Sequence, residues 1–203
     1  LPLWADERHV AAGRGTLAAA IAGANAGDVL VLGPGLHAGS IVIDRPLTLT
    51  GSHAAIIDGQ GDGTVVSIDA SDVTISNLTV TGSGLNSEET DAGIKVLRKA
   101  DRAVVENNRV LGNLHGIDVH GGFDAQVRNN AIEGTRQPRM NDRGNGIYIW
   151  NSPGTVVEGN SVRWGRDGIF SNTSRKGVYR NNLFRDLRFA VHYMYTNDSE
   201  VSG

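Results

Sequence analysis

One pattern returns four times in the same alignment: VENNRVLG at 105–112, VRNNAIEG at 127–134, VEGNSVRW at 157–164 and YRNNLFRD at 179–186. A fifth copy, ISNLTVTG at 75–82, carries Leu78 where the others carry Asn. The shared asparagines Asn108, Asn130, Asn160 and Asn182 are spaced by 22, 30 and 22 residues. A second row follows, Gly93-Ile94, Gly116-Ile117, Gly146-Ile147, Gly168-Ile169 and Ala190-Val191, spaced by 23, 30, 22 and 22. The unit is therefore about 22 residues, and the long interval holds an insertion of eight (30 − 22), within the stretch from Thr135 to Asn145. A unit that short cannot bury its own apolar face and must stack on its neighbours.

Between the repeats run short apolar segments separated by Gly, Pro, Asp and Ser, such as 29–32, 41–43, 47–49, 55–57 and 65–68. This pattern predicts strands. Three short strands per 22-residue unit predict an all-β chain, a right-handed parallel β-helix, with Gly and Asn at left-handed bends. Each repeated Asn is placed to hydrogen-bond its counterpart one coil away as a ladder. The one helical stretch, Thr16 to Ala22, has strong helix formers, Thr16 as N-cap and Gly27 as stop. It is expected to cap the open strand edges at the N-terminal end. The reading is one β-helix domain over 1–203 with a cap region over 1–27. A leucine-rich repeat is the nearest rival architecture, and its Leu-x-x-Leu-x-Leu pattern is missing.

Composition narrows the chemistry. The chain has no cysteine, which removes disulfides, thiolate metal sites and Cys nucleophiles together. Its net charge of −3 argues against a basic nucleic-acid-binding surface. No stretch approaches the ~20 apolar residues of a membrane span. Leu1, Pro2, Leu3 and Trp4 do not read as a signal peptide, and the chain ends in mid-pattern at Gly203, as a processed or truncated piece would. Asp58 to Gly63 has the composition of a calcium loop but lacks the following Glu, and reads as a turn.

Alternate strand residues point outward. With Ile94, Ile117, Ile147, Ile169 and Val191 inside, the next residues, Lys95, Asp118, Tyr148, Phe170 and His192, face out. Two further on stand Leu97, His120, Trp150, Asn172 and Met194. Toward the C-terminal end this face gathers Tyr148, Trp150, Phe170 and Tyr195 with His192 and Met194, in a chain that is only 5% aromatic. Such an apolar strip marks a binding surface, here for a partner protein. The insertion adds Met140, the only methionine besides Met194.

Imidazole with thioether suits Cu(I), and without thiols a Met/His site is the remaining soft-metal option. His192 and Met194 lie roughly 7 Å apart along one strand, near enough for one ion with favourable rotamers. His120 and Met194 lie three coils apart, roughly 14 Å, and cannot share one. Met140 joins only by loop placement. The candidate ligands are thus His192, Met194, Met140 and His120. The plainer alternative is that these are ordinary surface histidines and packing methionines. His115, beside Gly116, reads as structural.

Many β-helices act on polysaccharides, and that chemistry needs paired or calcium-binding carboxylates. Asp118 stands alone in its row, and Asp167, read as a turn residue, has Asp142 of the insertion as its best partner. A polysaccharide lyase, hydrolase or epimerase using Asp118 and Asp167 is the alternative function.

The runs 28–51, 56–59 and 72–82 resemble the opening coils of the carbohydrate-binding and sugar-hydrolase class of β-helices. MNDRGNGIYIWNSP at 140–153, RDGIFSNT at 166–173 and FAVHYMYTNDSEV at 189–201 resemble the NosD family, maturation proteins of nitrous oxide reductase. That resemblance implies a non-enzymatic periplasmic protein that carries copper transiently as Cu(I). It implies as partners nitrous oxide reductase, the inner-membrane ABC transporter subunits NosF and NosY, and a copper-donor lipoprotein, and no nucleic acid. It also implies a length about twice that of this chain.

Overall fold

The computed structural model describes residues 5–203; the N-terminal reading of Leu1 to Trp4 lies outside them. The chain winds as a parallel β-solenoid with three sheets along its length. One sheet has nine strands, from Glu7–Val10 to Glu200–Ser202, and each of the others has seven. Every pairing is parallel and joins a strand to its equivalent one coil on, as Val105↔Val127 and Ile94↔Ile117 do. The predicted architecture stands. Its interior is a set of aliphatic columns: Ile94, Ile117, Ile147 and Ile169 are fully buried in one, Val105, Val127 and Val157 in the next. Tyr179 continues the second column and hydrogen-bonds Ser171 Oγ through its hydroxyl at 3.0 Å.

The asparagine ladder forms as the repeat implied. Asn108 Nδ2 donates to Asn130 Oδ1 at 3.1 Å, Asn130 Nδ2 to Asn160 Oδ1 at 3.0 Å, and Asn160 Nδ2 to Asn182 Oδ1 at 3.0 Å. Each Oδ1 also accepts a backbone N–H from the preceding coil, and at Leu78 only this backbone donor remains. The left-handed residue of each bend is not the ladder Asn but the one before it, Asn107, Asn129, Gly159 or Asn181.

The glycine row has a different role from the one expected. Gly93, Gly116, Gly146 and Gly168 do not adopt left-handed backbone. They are small because the interior leaves no space: a Cβ on Gly116 would lie 2.4 Å from Gly146 O and 2.5 Å from Ile132 Cγ2.

At the N-terminal end the helix Thr16–Ala22 buries Leu17 and Ile21 against the first coils. Thr16 is not its cap. Gly15 holds that place with φ 75°, and Thr16 Oγ1 donates instead to Ala11 O at 2.8 Å. The helix closes at Gly23, four residues before the expected Gly27. A strand unforeseen in the sequence, Glu7–Val10, precedes the helix and starts the nine-stranded sheet. The insertion contains a short 3-10 turn, Met140–Asp142.

Candidate metal centre

The face with the unusual side chains is built by the strands Ala92–Val96, His115–His120, Ile147–Trp150, Asp167–Asn172 and Phe189–Met194. Their register places the outward residues in two files. Lys95, Asp118, Tyr148, Phe170 and His192 form one, and His120, Trp150, Asn172 and Met194 the other. Both files follow from alternation in a strand and were legible in the repeat.

The rings along these files touch. His120 stacks on Trp150 with centroids 4.5 Å apart, Tyr148 on Phe170 at 5.2 Å, and Phe170 meets His192 at 4.8 Å. Tyr195 does not belong to this stack. It follows Met194 in a left-handed turn and is 80% exposed.

His192 is anchored from below. Its Nδ1 lies 3.0 Å from Asp167 Oδ2. Arg188 grips the same carboxylate with two bonds, Nε to Oδ1 at 2.9 Å and a terminal nitrogen to Oδ2 at 2.7 Å. Asp167 is itself buried. Burial alone raises its pKa, but the bonds from Arg188 and His192 outweigh burial and hold the carboxyl below the usual range. An imidazole held at Nδ1 by a carboxylate directs its Nε2 away from it, with raised donor strength. Met194 follows two residues later on the same side of the strand and is exposed.

His120 has its own carboxylate, with Nδ1 3.5 Å from Asp118 Oδ1. It stands three strands from Met194 in sheet order. Met140 sits in the 3-10 turn, partly exposed, while its neighbours Asn141, Asp142 and Arg143 line a groove of about 500 Å³. The groove is floored by His115, Tyr148 and Phe170 and walled by the insertion and the segment around Leu85 to Thr90. Among the described residues, no three His, Cys, Asp or Glu side chains gather as a metal cluster.

Two expectations about the acids are corrected. Asp118 does not face solvent: it is fully buried, because Thr90 donates its hydroxyl to Oδ2 at 3.0 Å and Lys95 covers it at 3.6 Å. The covering segment leaves the solenoid between repeats, so the 22-residue pattern carries no sign of it. Asp167 opens a strand rather than a turn, and its partners are Arg188 and His192, not Asp142. Asp142 has Arg139 nearby at 3.9 Å. The Asp167–His192 contact spans 25 residues, one repeat plus three, so the sequence did contain its signal. His115 is structural as expected: it is buried and its Nδ1 accepts the Asn145 N–H at 3.1 Å.

Residues 128–203 match the family model NosD, described as "Periplasmic copper-binding protein (NosD)". A protein of Pseudomonas aeruginosa named "Probable ABC transporter binding protein NosD" is 37% identical over 137 residues, 68% of this chain and 32% of that protein. Its namesake from Stutzerimonas stutzeri is 37% identical over 134 residues, 66% of this chain and 31% of that protein. Among solved structures, the pectate lyase Pel9A superposes with a TM-score of 0.69 at 16% identity, covering 88% of this chain and 54% of that one, which shows the shared fold. The chain spans about a third of the length of these curated relatives. The motifs at 140–153, 166–173 and 189–201 all lie within the stretch that matches the NosD family model, and the chain is similar to these NosD proteins over about two thirds of its length.

Proposed function

We propose that this chain is part of a periplasmic accessory protein that binds Cu(I) and passes it to nitrous oxide reductase during assembly of its copper centre. In this reading the copper arrives from a donor lipoprotein, and the protein works at the inner membrane with the ABC transporter subunits NosF and NosY. It is a carrier and not a catalyst. Support comes from the copper-binding description of the matching family and from the transporter-binding names of the relatives.

The observation that carries the reading is the pairing of donors on the strand Phe189–Met194. His192 is oriented by Asp167, and Met194 stands two residues on, both on the outward face. A neutral imidazole and a thioether prefer a soft monovalent ion to Zn(II) or Mg(II). Two protein donors on the outward face, Met194 exposed and His192 half-buried, leave room for a partner to add its own, which suits a carrier that must release its cargo. Met140 of the insertion is the remaining thioether available as a third donor. Tyr148, Trp150, Phe170 and Tyr195 offer the adjoining apolar contact for a partner protein.

The polysaccharide alternative is less well supported. Its two carboxylates, Asp118 and Asp167, are buried and already engaged by Lys95, Thr90, Arg188 and His192. Neither is free to meet a glycosidic bond.

Anaerobic Cu(I) competition titration tests the proposal. His192→Ala and Met194→Ala are each expected to weaken binding about tenfold or more, a loss of about 1.4 kcal/mol. Equal affinity in wild type and both variants would overturn it.

A further inference from the structure

We infer that the groove between the insertion and the segment from Leu85 to Thr90 binds a carboxylate carried on an apolar or planar body, with Arg143, Arg166 and the Nε2–H of His115 as its donors. The inference is separate from the copper reading and goes beyond it.

The groove is bounded by chain that lies outside the repeat, and its volume is about 500 Å³. Both walls are held without a ligand. On one side Asp91 Oδ2 accepts the Asn86 N–H at 2.9 Å, and Lys95 donates to Glu89 O at 2.7 Å. On the other side the Arg166 backbone N–H donates to Gly144 O at 2.7 Å, and Arg143 Nε donates to Gln137 O at 2.7 Å. A preformed concavity of this size is typical of ligand sites.

The donors inside it are unmet. His115 is 7% exposed, and its Nδ1 accepts the Asn145 N–H at 3.1 Å. A backbone N–H can only donate, so Nδ1 is bare and the neutral ring carries its proton on Nε2. Burial chiefly, with the charges of Lys95 and Arg166, keeps the ring neutral against Asp118 and Asp91. The Nε2–H has no partner among the described residues and is not sealed in the interior, so it opens on the groove that the ring lines. Arg166 also lines the groove; its Nε is buried without a partner, and its side chain makes no other bond among the described residues. Arg143 uses only its Nε, which leaves its terminal nitrogens free. The acid on the rim, Asp142, has Arg139 as its ion-pair neighbour at 3.9 Å.

These groups decide the class of ligand. Guanidinium and imidazole N–H groups repel a metal cation and ask for an acceptor. Charged donors left unpaired and partly buried are costly, and an anion that supplies lone pairs removes the cost. Two guanidinium groups and one carboxylate line the groove, an excess of one positive charge (2 − 1), which suits a monoanion. The planar fork of arginine matches the two oxygens of a carboxylate. The floor holds the rest of the ligand. His115 stacks on Tyr148 at 5.8 Å and Tyr148 on Phe170 at 5.2 Å, so a flat apolar surface lies beside the donors. A free small carboxylate and an acidic side chain of a partner segment share this chemistry.

Calorimetric titration tests the site with four kinds of probe. They are benzoate, its neutral isostere benzamide, phenyl phosphate, and the end-capped tripeptides Leu-Glu-Leu and Leu-Gln-Leu. Benzoate is expected to bind about tenfold or more tighter than benzamide, since bonds to charged groups are the strong ones. Arg166→Gln breaks no side-chain bond of the fold and is expected to weaken benzoate about tenfold with the unfolding midpoint unchanged. Arg143→Gln is expected to act in the same direction. Tighter binding of the Glu tripeptide than of benzoate, with the Gln tripeptide silent, assigns the site to an acidic side chain. Binding of benzoate alone assigns it to a free carboxylate. Four results would overturn the inference: equal affinity for benzoate and benzamide, tighter binding of phenyl phosphate, benzoate affinity unchanged in both arginine variants, or no binding of benzoate and the Glu tripeptide. Each leaves the copper reading untouched.

Discussion

At the scale of single residues, the ladder asparagines bind one coil to the next. Asn130 accepts the backbone N–H of Asn108, donates to Val105 O and donates to Asn160 Oδ1, all while buried. Asn130→Ala leaves the buried Asn108 N–H without its acceptor and removes the bonds to Val105 O and Asn160 Oδ1. The orphan costs about 1–3 kcal/mol and each lost bond about 1 kcal/mol, so urea unfolding is expected to show a loss of roughly 3–5 kcal/mol. His115 gives a pH prediction. Burial is the main cause that pushes its imidazole below the ordinary 6.5, against attraction from Asp118. The unfolded chain then takes up the proton first, so stability is complete above 6.5 and falls as the pH drops below it. Comparing unfolding free energy at about pH 7.5 and about pH 5.5, His115→Gln is expected to shrink the difference. The ladder and the outward files were legible because each depends on the repeat and on strand alternation. The burial of Asp118 was not, because Lys95 in its own file is joined in covering it by Thr90, which lies outside the repeated unit.

At the scale of elements, the glycine row shows how a correct alignment supported a wrong role. Gly116 and its equivalents recur once per coil, which in the sequence looks like a bend. The packing instead places each against the interior side chain of another strand, Ile132 at Gly116 and Phe184 at Gly168. A bend and a close contact ask for the same residue, and only coordinates separate them. The helix Thr16–Ala22 was visible from its alanines, but its ends were not. Thr16 turns its hydroxyl back to Ala11 O, and the cap passes to Gly15. The stability of this element rests on its buried side rather than on its cap. Leu17 is 3% exposed, and Leu17→Ala is expected to cost about 2–5 kcal/mol in thermal or urea unfolding. A loss below about 1 kcal/mol would show that the helix is not packed on the solenoid as described.

At the scale of the molecule, a solenoid aligns equivalent residues along its length, so one changed position per coil becomes a surface file. Here one file runs from Lys95 to His192, from an ion-paired lysine to a carboxylate-held imidazole, in five strands. The fold is shared with proteins of other activity, among them a pectate lyase, and so leaves function to the residues on this face. The central claim is that His192 and Met194 hold the ion together. Crystals grown anaerobically with Cu(I), measured on both sides of the copper absorption edge, test it most directly. The account predicts an anomalous peak between His192 Nε2 and Met194 Sδ, with His192 Nδ1 still on Asp167. A peak elsewhere on the molecule, with this pair left bare at full copper loading, would contradict it.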